Sequence, residues 1–418
     1  MKVLWITFEI FPEVAQKAGL APTDGGLVTA YARALADFVP EVELAVAAPC
    51  SGKTFRRITT GGVTCFLLPK AGCRPDDYSA MGPCWQQVRD MFAPEVIHIH
   101  GSEYPLGLSW VRMFGAKGVV LSMQGLVSVI EKYYYGGIPV TTLLRNVTPR
   151  DIVRFDTLFD QRRRMRTRGR LEAELIRKIS HVIGRTGWDR GHSWAINPDI
   201  NYHFCNEILR ANFFEKQGAW RADGCEKHSV FLSQGQYPIK GLHRMVEALP
   251  SIVRQYPDVK VYVAGSNLFT GRELKIHGYA KYVNRLIAGR RLEKHFVFLG
   301  PLSAQEMVER YLLSNVFVCP SAIENGCLSV GEAQMLGVPC VGAYVGGVGE
   351  ITIDDGASGL VYRYDEPEQL AWNICRIFAD ASLVARLSAG GNRAAMRRFD
   401  RQANANGLLA AYKSIVEE

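Results

Sequence analysis

The sequence predicts an α/β protein built on two doubly wound parallel sheets. Three observations carry this prediction. Short apolar runs alternate with helical periodicity, the runs fall into two series, and a glycine-containing stretch with neither pattern separates the series. The 418 residues suffice for two domains, and 48% apolar with 22% charged residues suits a globular chain with substantial cores.

The first series comprises the runs 3–8, 42–47, 63–68, 96–100, 119–123 and 181–184, each read as a strand. After the first run, Asp24-Gly25-Gly26-Leu27 opens a helix extending to about Val39. Glycines at a helix start let the backbone approach an anion closely, although the same pair also makes an ordinary turn. His98 and His100 stand at i and i+2 on one face of a strand. Further ligands for a metal are not evident, so none is expected there. Six arginines, Arg162, Arg163, Arg164, Arg166, Arg168 and Arg170, follow. Such a run is a solvated face or a contact for anionic lipid or a phosphate-linked acceptor; no nucleic-acid motif accompanies it. Residues 206–227 read as the linker.

The second series is 230–233, 259–264, 296–299, 316–319 and 338–342, with helical spacing in 241–256, 304–313 and 367–378. The predicted domains are thus 1–215 and 216–400. Residues 401–418 contain a final helix without a following strand. Two such sheets facing each other would place their strands' carboxyl ends around one interdomain cleft.

The most informative stretch is Pro320–Ala333, read as strand end, loop and helix. Backbone N–H groups at that helix start, near Leu328 and Ser329, suit a phosphate. Glu324 lies in the loop. Glu332, one turn into the helix, suits sugar hydroxyls. Lys240 lies in a loop that follows a strand and precedes a helix. Ten cysteines without a C-x-x-C pair suggest reduced packing residues, Cys319, Cys327 and Cys340 among them. The N-terminal apolar run is short for a signal peptide, and no stretch reaches about 18 apolar residues. The expectation is a cytoplasmic protein. Its formal net charge of +8 favours acidic partners.

Glu324, seven residues, Glu332, then Gly337-Val338-Pro339-Cys340-Val341, Gly346-Gly347-Val348-Gly349-Glu350 and Gly359-Leu360-Val361 resemble the signature of the retaining nucleotide-sugar-dependent glycosyltransferases of family four. That resemblance implies the GT-B fold, with the terminal helix crossing back onto the first domain. It implies that Lys240 binds the donor diphosphate, Glu324 orients the hexose and Glu332 holds the ribose. It places Gly25 and Gly26 beneath the diphosphate, Asn267 and Leu299 near sugar and base, and His100 and Gln124 on the acceptor side. Two departures stand out. Gln124 occupies a place where the family often has histidine, and Gln234-Gly235-Gln236 lacks the family's arginine, whose role Arg185 is a candidate to fill.

No Asp-x-Asp occurs in the sequence, which agrees with catalysis without a metal or other cofactor. The reading is a hexosyltransferase acting with retention on a saccharide or lipid-linked acceptor in bacterial cell-surface (capsular) polysaccharide synthesis. Peripheral contact with the inner face of the plasma membrane would run through Arg162–Arg170. The alternatives are a catalytically silent nucleotide-sugar binder and a glycosidase using Glu324 and Glu332.

Overall fold

The computed structural model describes residues 1–52, 54–69, 81–266, 271 and 275–417. By contacts the chain divides into two compact units. Unit 1 is Met1–Val129, Arg166–Arg210 and Arg398–Glu418; unit 2 is Ile130–Met165 and Ala211–Arg397.

Unit 1 holds β1 (Lys2–Ile6), β2 (Glu43–Cys50), β3 (Arg56–Thr60), β4 (Val63–Pro69), β5 (Val96–His100), β6 (Val119–Ser122), β7 (His181–Gly184) and β8 (Asn201–Phe204). Their order is β3-β4-β2-β1-β5-β6-β7-β8, parallel throughout except for β3 against β4. The six expected runs are all strands. β3 and β8 are additions at the two edges, where a strand faces one neighbour and need not be apolar. The direction of winding reverses between β1 and β5, so the loops after these two strands flank the topological switch point.

Unit 2 holds β9 (Glu226–Leu232), β10 (Lys260–Ala264), β11 (Phe296–Gly300), β12 (Ser314–Cys319), β13 (Cys340–Ala343) and β14 (Leu360–Tyr362), all parallel in the order β11-β10-β9-β12-β13-β14. Its switch point lies between β9 and β12. Two Rossmann-like α/β units of this kind define the GT-B fold class.

The linker expected at 206–227 contains a helix, Ala211–Glu215, and runs into β9. The terminal helix Arg401–Glu417 groups with unit 1: Trp5 Nε1 donates to Tyr412 Oη at 2.8 Å, and Arg401 pairs with Asp37 at 2.6 Å. A larger departure from the sequence boundary is Ile130–Met165, expected in the first domain but grouped with the second. Tyr134, Ile138, Leu143 and Leu158 are buried in the core of unit 2, and burying each such side chain contributes about 1.5–3 kcal/mol. His243 and Tyr364 also bond to Gly136 O.

Candidate functional site

Lys240 ends a single 3₁₀ turn, Pro238–Lys240, in the loop after β9, and Gly241 follows with φ +69° before the helix Leu242–Gln255. A Cβ on Gly241 would collide with Pro320 O, so glycine is needed for the loops after β9 and β12 to touch. Ala322 N donates to Ile239 O at 2.8 Å and pins them together. The result is an ion pair across the switch point: Lys240 Nζ lies 2.7 Å from Glu324 Oε1. Burial alone would lower the lysine's pKa, but the Glu324 carboxylate outweighs it and holds the ammonium above the ordinary lysine range.

Glu324 leads into Cys327, the N-cap of the helix Leu328–Leu336, held at φ +32° with no side-chain cap. The first-turn N–H groups at Leu328 and Ser329 have no intrahelical acceptor. Glu332 accepts from Tyr311 Oη at 3.3 Å, and Tyr311 also bonds Ser329 O at 3.1 Å. Burial, followed by the Glu332 charge, raises the phenol's pKa, so Tyr311 stays a donor.

Two of the buried cysteines meet here. Cys319 Sγ and Cys327 Sγ lie 3.2 Å apart, and with Glu324 they form a group whose ligand atoms lie within 4.8 Å of one another. The hydrogen bond from Cys327 lowers the Cys319 pKa, while that bond and burial raise Cys327. Two thiols and a carboxylate suit a soft cation, but the Lys240 ammonium already supplies positive charge to Glu324.

The missing arginine is not replaced nearby within the loop. Gln236 Oε1 accepts from Gly235 N at 3.3 Å, and its side chain lies against Gly265. Arg185 belongs to unit 1, buried and paired with Glu207 at 2.6 Å. Leu299 lies near the end of β11 and is partly buried; Asn267 lies outside the described residues.

In unit 1, the helix Leu27–Phe38 begins at Gly26, but its N-terminus is already filled. The Glu9 carboxylate accepts from Gly26 N at 2.6 Å, Val28 N at 3.1 Å and Thr29 N at 2.8 Å. A Cβ on Gly26 would stand 2.5 Å from Glu9 Oε2, which explains that glycine by a carboxylate of the chain itself. The N–H of Gly25 faces Thr23 Oγ1 at 3.3 Å. An anion approaching the loop expected beneath the diphosphate would meet Glu9 and compete for the same donors.

His98 is hydrogen-bonded to Tyr412 Oη and Ser122 Oγ, both at 2.6 Å, and His100 stacks on it with ring centroids 3.8 Å apart. Burial depresses both imidazoles, His100 to about 3, so both are neutral. His100 Nε2 has no hydrogen-bond partner among the described residues. With Gln124, Arg185 and Glu207 these histidines line a cavity of about 20 Å³, room for about one water.

One residue escaped the sequence reading: Glu103, in the loop after β5. Its carboxylate and the Gln124 amide oxygen both stand over Gly101. Burial raises its pKa to about 7. A lone carboxylate two residues past a glycine carries no sequence signal; only the fold places it beside Gln124.

Residues 217–394, the part of the chain that holds Lys240, Glu324 and Glu332, match the family Glycosyl transferases group 1. Spore coat protein SA of Bacillus subtilis is 30% identical over 42% of this chain and 46% of its own length. A D-inositol 3-phosphate glycosyltransferase of Geodermatophilus obscurus is 31% identical over 60% of this chain and 53% of its own. The chain thus spans about half the length of these curated relatives. Among solved structures, sucrose-phosphate synthase of Thermosynechococcus elongatus superposes with a TM-score of 0.71 over 99% of both chains at 16% identity, a likeness of fold.

Proposed function

We propose that the protein is a retaining, metal-independent glycosyltransferase that moves a hexose from a nucleoside-diphosphate sugar to a saccharide or lipid-linked acceptor. The single observation that carries this reading is the Lys240–Glu324 pair at 2.7 Å, set across the unit 2 switch point beside the helix start at Leu328 and Ser329. In this reading Lys240 and the first-turn N–H groups stabilise the charge that develops on the departing diphosphate, so a divalent cation is not required. Glu324 orients the hexose, and Glu332, steadied by Tyr311, takes the ribose hydroxyls.

Retention is proposed to follow from attack on the face the diphosphate leaves, a phosphate oxygen taking the acceptor proton. The residues proposed for the acceptor side are His100, Gln124 and Glu103. The neutral, buried His100 offers a hydrogen bond rather than a charge. The reaction would serve bacterial cell-surface polysaccharide synthesis at the cytoplasmic face of the membrane.

A screen of nucleotide sugars by thermal shift, followed by a transfer assay with the stabilising donor, tests the proposal. A donor at 100 times its Kd adds about 2.7 kcal/mol of stability. Binding without turnover on any saccharide or lipid-linked acceptor would favour the silent-binder reading, which the uncharged Gln234–Gln236 stretch supports. Hydrolysis of a simple glycoside without a nucleotide donor would favour a glycosidase.

A further inference from the structure

Eighteen large apolar or aromatic side chains are exposed among the described residues, and six of them fall within Ile130–Met165: Tyr133, Val140, Leu144, Ile152, Val153 and Phe155, each 45% to 78% exposed. On the helix Val140–Asn146, Val140 and Leu144 share one stripe at i and i+4. Where the helix Pro149–Val153 ends, four consecutive residues are exposed: Ile152 and Val153 in its last turn, then Arg154 and Phe155.

That tip is built rather than slack. Thr148 and Asp151 form a capping box, Asp151 Oδ2 accepts from Gly278 N at 2.8 Å, and Thr148 Oγ1 donates to Ile276 O at 3.0 Å. Asp156 pairs with Arg150 at 3.1 Å and Arg164 at 2.8 Å, and Arg164 Nη1 donates to Phe155 O at 2.8 Å. Together these hold Phe155 at φ +49°, a conformation rare for an aromatic residue that persists only where the surroundings impose it.

The charges of the segment are sorted. Its carboxylates turn inward: Glu131 to Arg162, Asp151 to Arg150, Asp156 to Arg150 and Arg164, and Asp160 to Thr157. Lys132, Arg145 and Arg154 are exposed, with no ion-pair partner among the described residues. Apolar side chains on short helices among cations of one sign complement an anionic bilayer surface, where the cations are attracted to the headgroups and the apolar groups enter the acyl boundary. No described helix is long and apolar enough to cross a membrane, so the contact would lie in the interface plane.

The arginine run does not form such a surface as a whole. It lies within one helix, Leu158–Lys178, which turns successive residues about 100° apart. Arg162 packs over Tyr135 and bonds Glu131, and Arg168 packs over Tyr104.

We infer that Val140, Leu144 and the Ile152–Phe155 tip, flanked by Lys132, Arg145 and Arg154, form a docking surface that inserts into the headgroup region of an anionic lipid bilayer. The test is co-sedimentation of the full chain with vesicles of equal phosphatidylglycerol and phosphatidylcholine, and with pure phosphatidylcholine. Wild type should bind the anionic vesicles, more weakly at high salt. The triple substitution Ile152→Ser, Val153→Ser, Phe155→Ser should lower binding at least tenfold, with Tm and donor binding retained. Phe155→Trp should gain fluorescence quenchable by brominated lipid relative to wild type. A second copy of the chain is the competing occupant. Concentration-dependent self-association that the triple substitution abolishes, without vesicle binding, overturns the inference. So does wild-type affinity in the triple variant, or an unquenched Phe155→Trp. Because these readouts do not involve transfer, a failed vesicle assay leaves the donor assignment standing, and the reverse also holds.

Discussion

Both units are doubly wound sheets with a switch point, and they differ in what those switch points do with charge. In unit 1 the helix start after β1 is closed by Glu9, and the short helix Val127–Ile130 is closed by Glu172, which accepts from Val127 N at 3.0 Å and Ser128 N at 2.9 Å. In unit 2 the helix start after β12 has a cation beside it, no side-chain cap, and a residue at positive φ. A doubly wound sheet with a switch point therefore does not by itself confer one chemistry: a helix N-terminus is an anion site only when the chain has not supplied its own anion.

The comparison breaks most directly at Lys240. Lys240→Ala should lower turnover by at least about a hundredfold, as loss of a charge-stabilising donor does; a steady-state assay showing activity within a few-fold of wild type would move the diphosphate elsewhere. The corresponding change in unit 1 should act on stability. Glu9→Ala removes the acceptor of three backbone donors and should cost about 1.5–3 kcal/mol in urea unfolding, more than a surface carboxylate would.

Glu103 sharpens the contrast through pH. Its folded pKa of about 7 lies above the ordinary 4.5, so folding favours the protonated form. Its contribution is fully present below about pH 4.5 and is lost as pH rises through about 7. Glu103→Gln should therefore gain about 1–3 kcal/mol over wild type at pH 8 and almost nothing at pH 4. A pH-independent difference would remove the buried, ionising carboxyl from the account.

Glu332→Gln should raise the donor KM several-fold with a smaller change in kcat, because a ribose contact is similar in ground and transition states; an unchanged KM counts against the ribose role. The smallest expected effect is that of chelator, which should leave transfer intact. Strict dependence on added magnesium or manganese would contradict a site run by Lys240 and N–H groups.

These contrasts also mark what a sequence can carry. Runs such as Val316–Cys319 announce buried strands because both faces are apolar, and the loops that end them locate Lys240 and Glu324 at the carboxyl end of one sheet. Arg56–Thr60 and Asn201–Phe204 are polar edge strands whose pairing is visible only from the neighbour. Ile130–Met165 reads as part of the first domain because nothing local records that Tyr134 and Leu158 are buried in unit 2. Glu9 is invisible for the same reason: its partners lie 17 to 20 residues away. The spread of the arginine run around one helix follows from the helix turn, but which arginines are consumed depends on Glu131, Asp156 and Tyr104.

Calorimetric titration of wild type, Lys240→Ala and Glu9→Ala with the nucleoside diphosphate of the active donor addresses the central claim most directly. If the diphosphate belongs to the unit 2 switch point and Glu9 only closes a helix, Lys240→Ala should weaken binding at least about tenfold, as expected for a lost charge-assisted contact. Folded Glu9→Ala should bind like wild type. Wild-type affinity in Lys240→Ala, or a marked change in affinity in folded Glu9→Ala, would contradict the assignment.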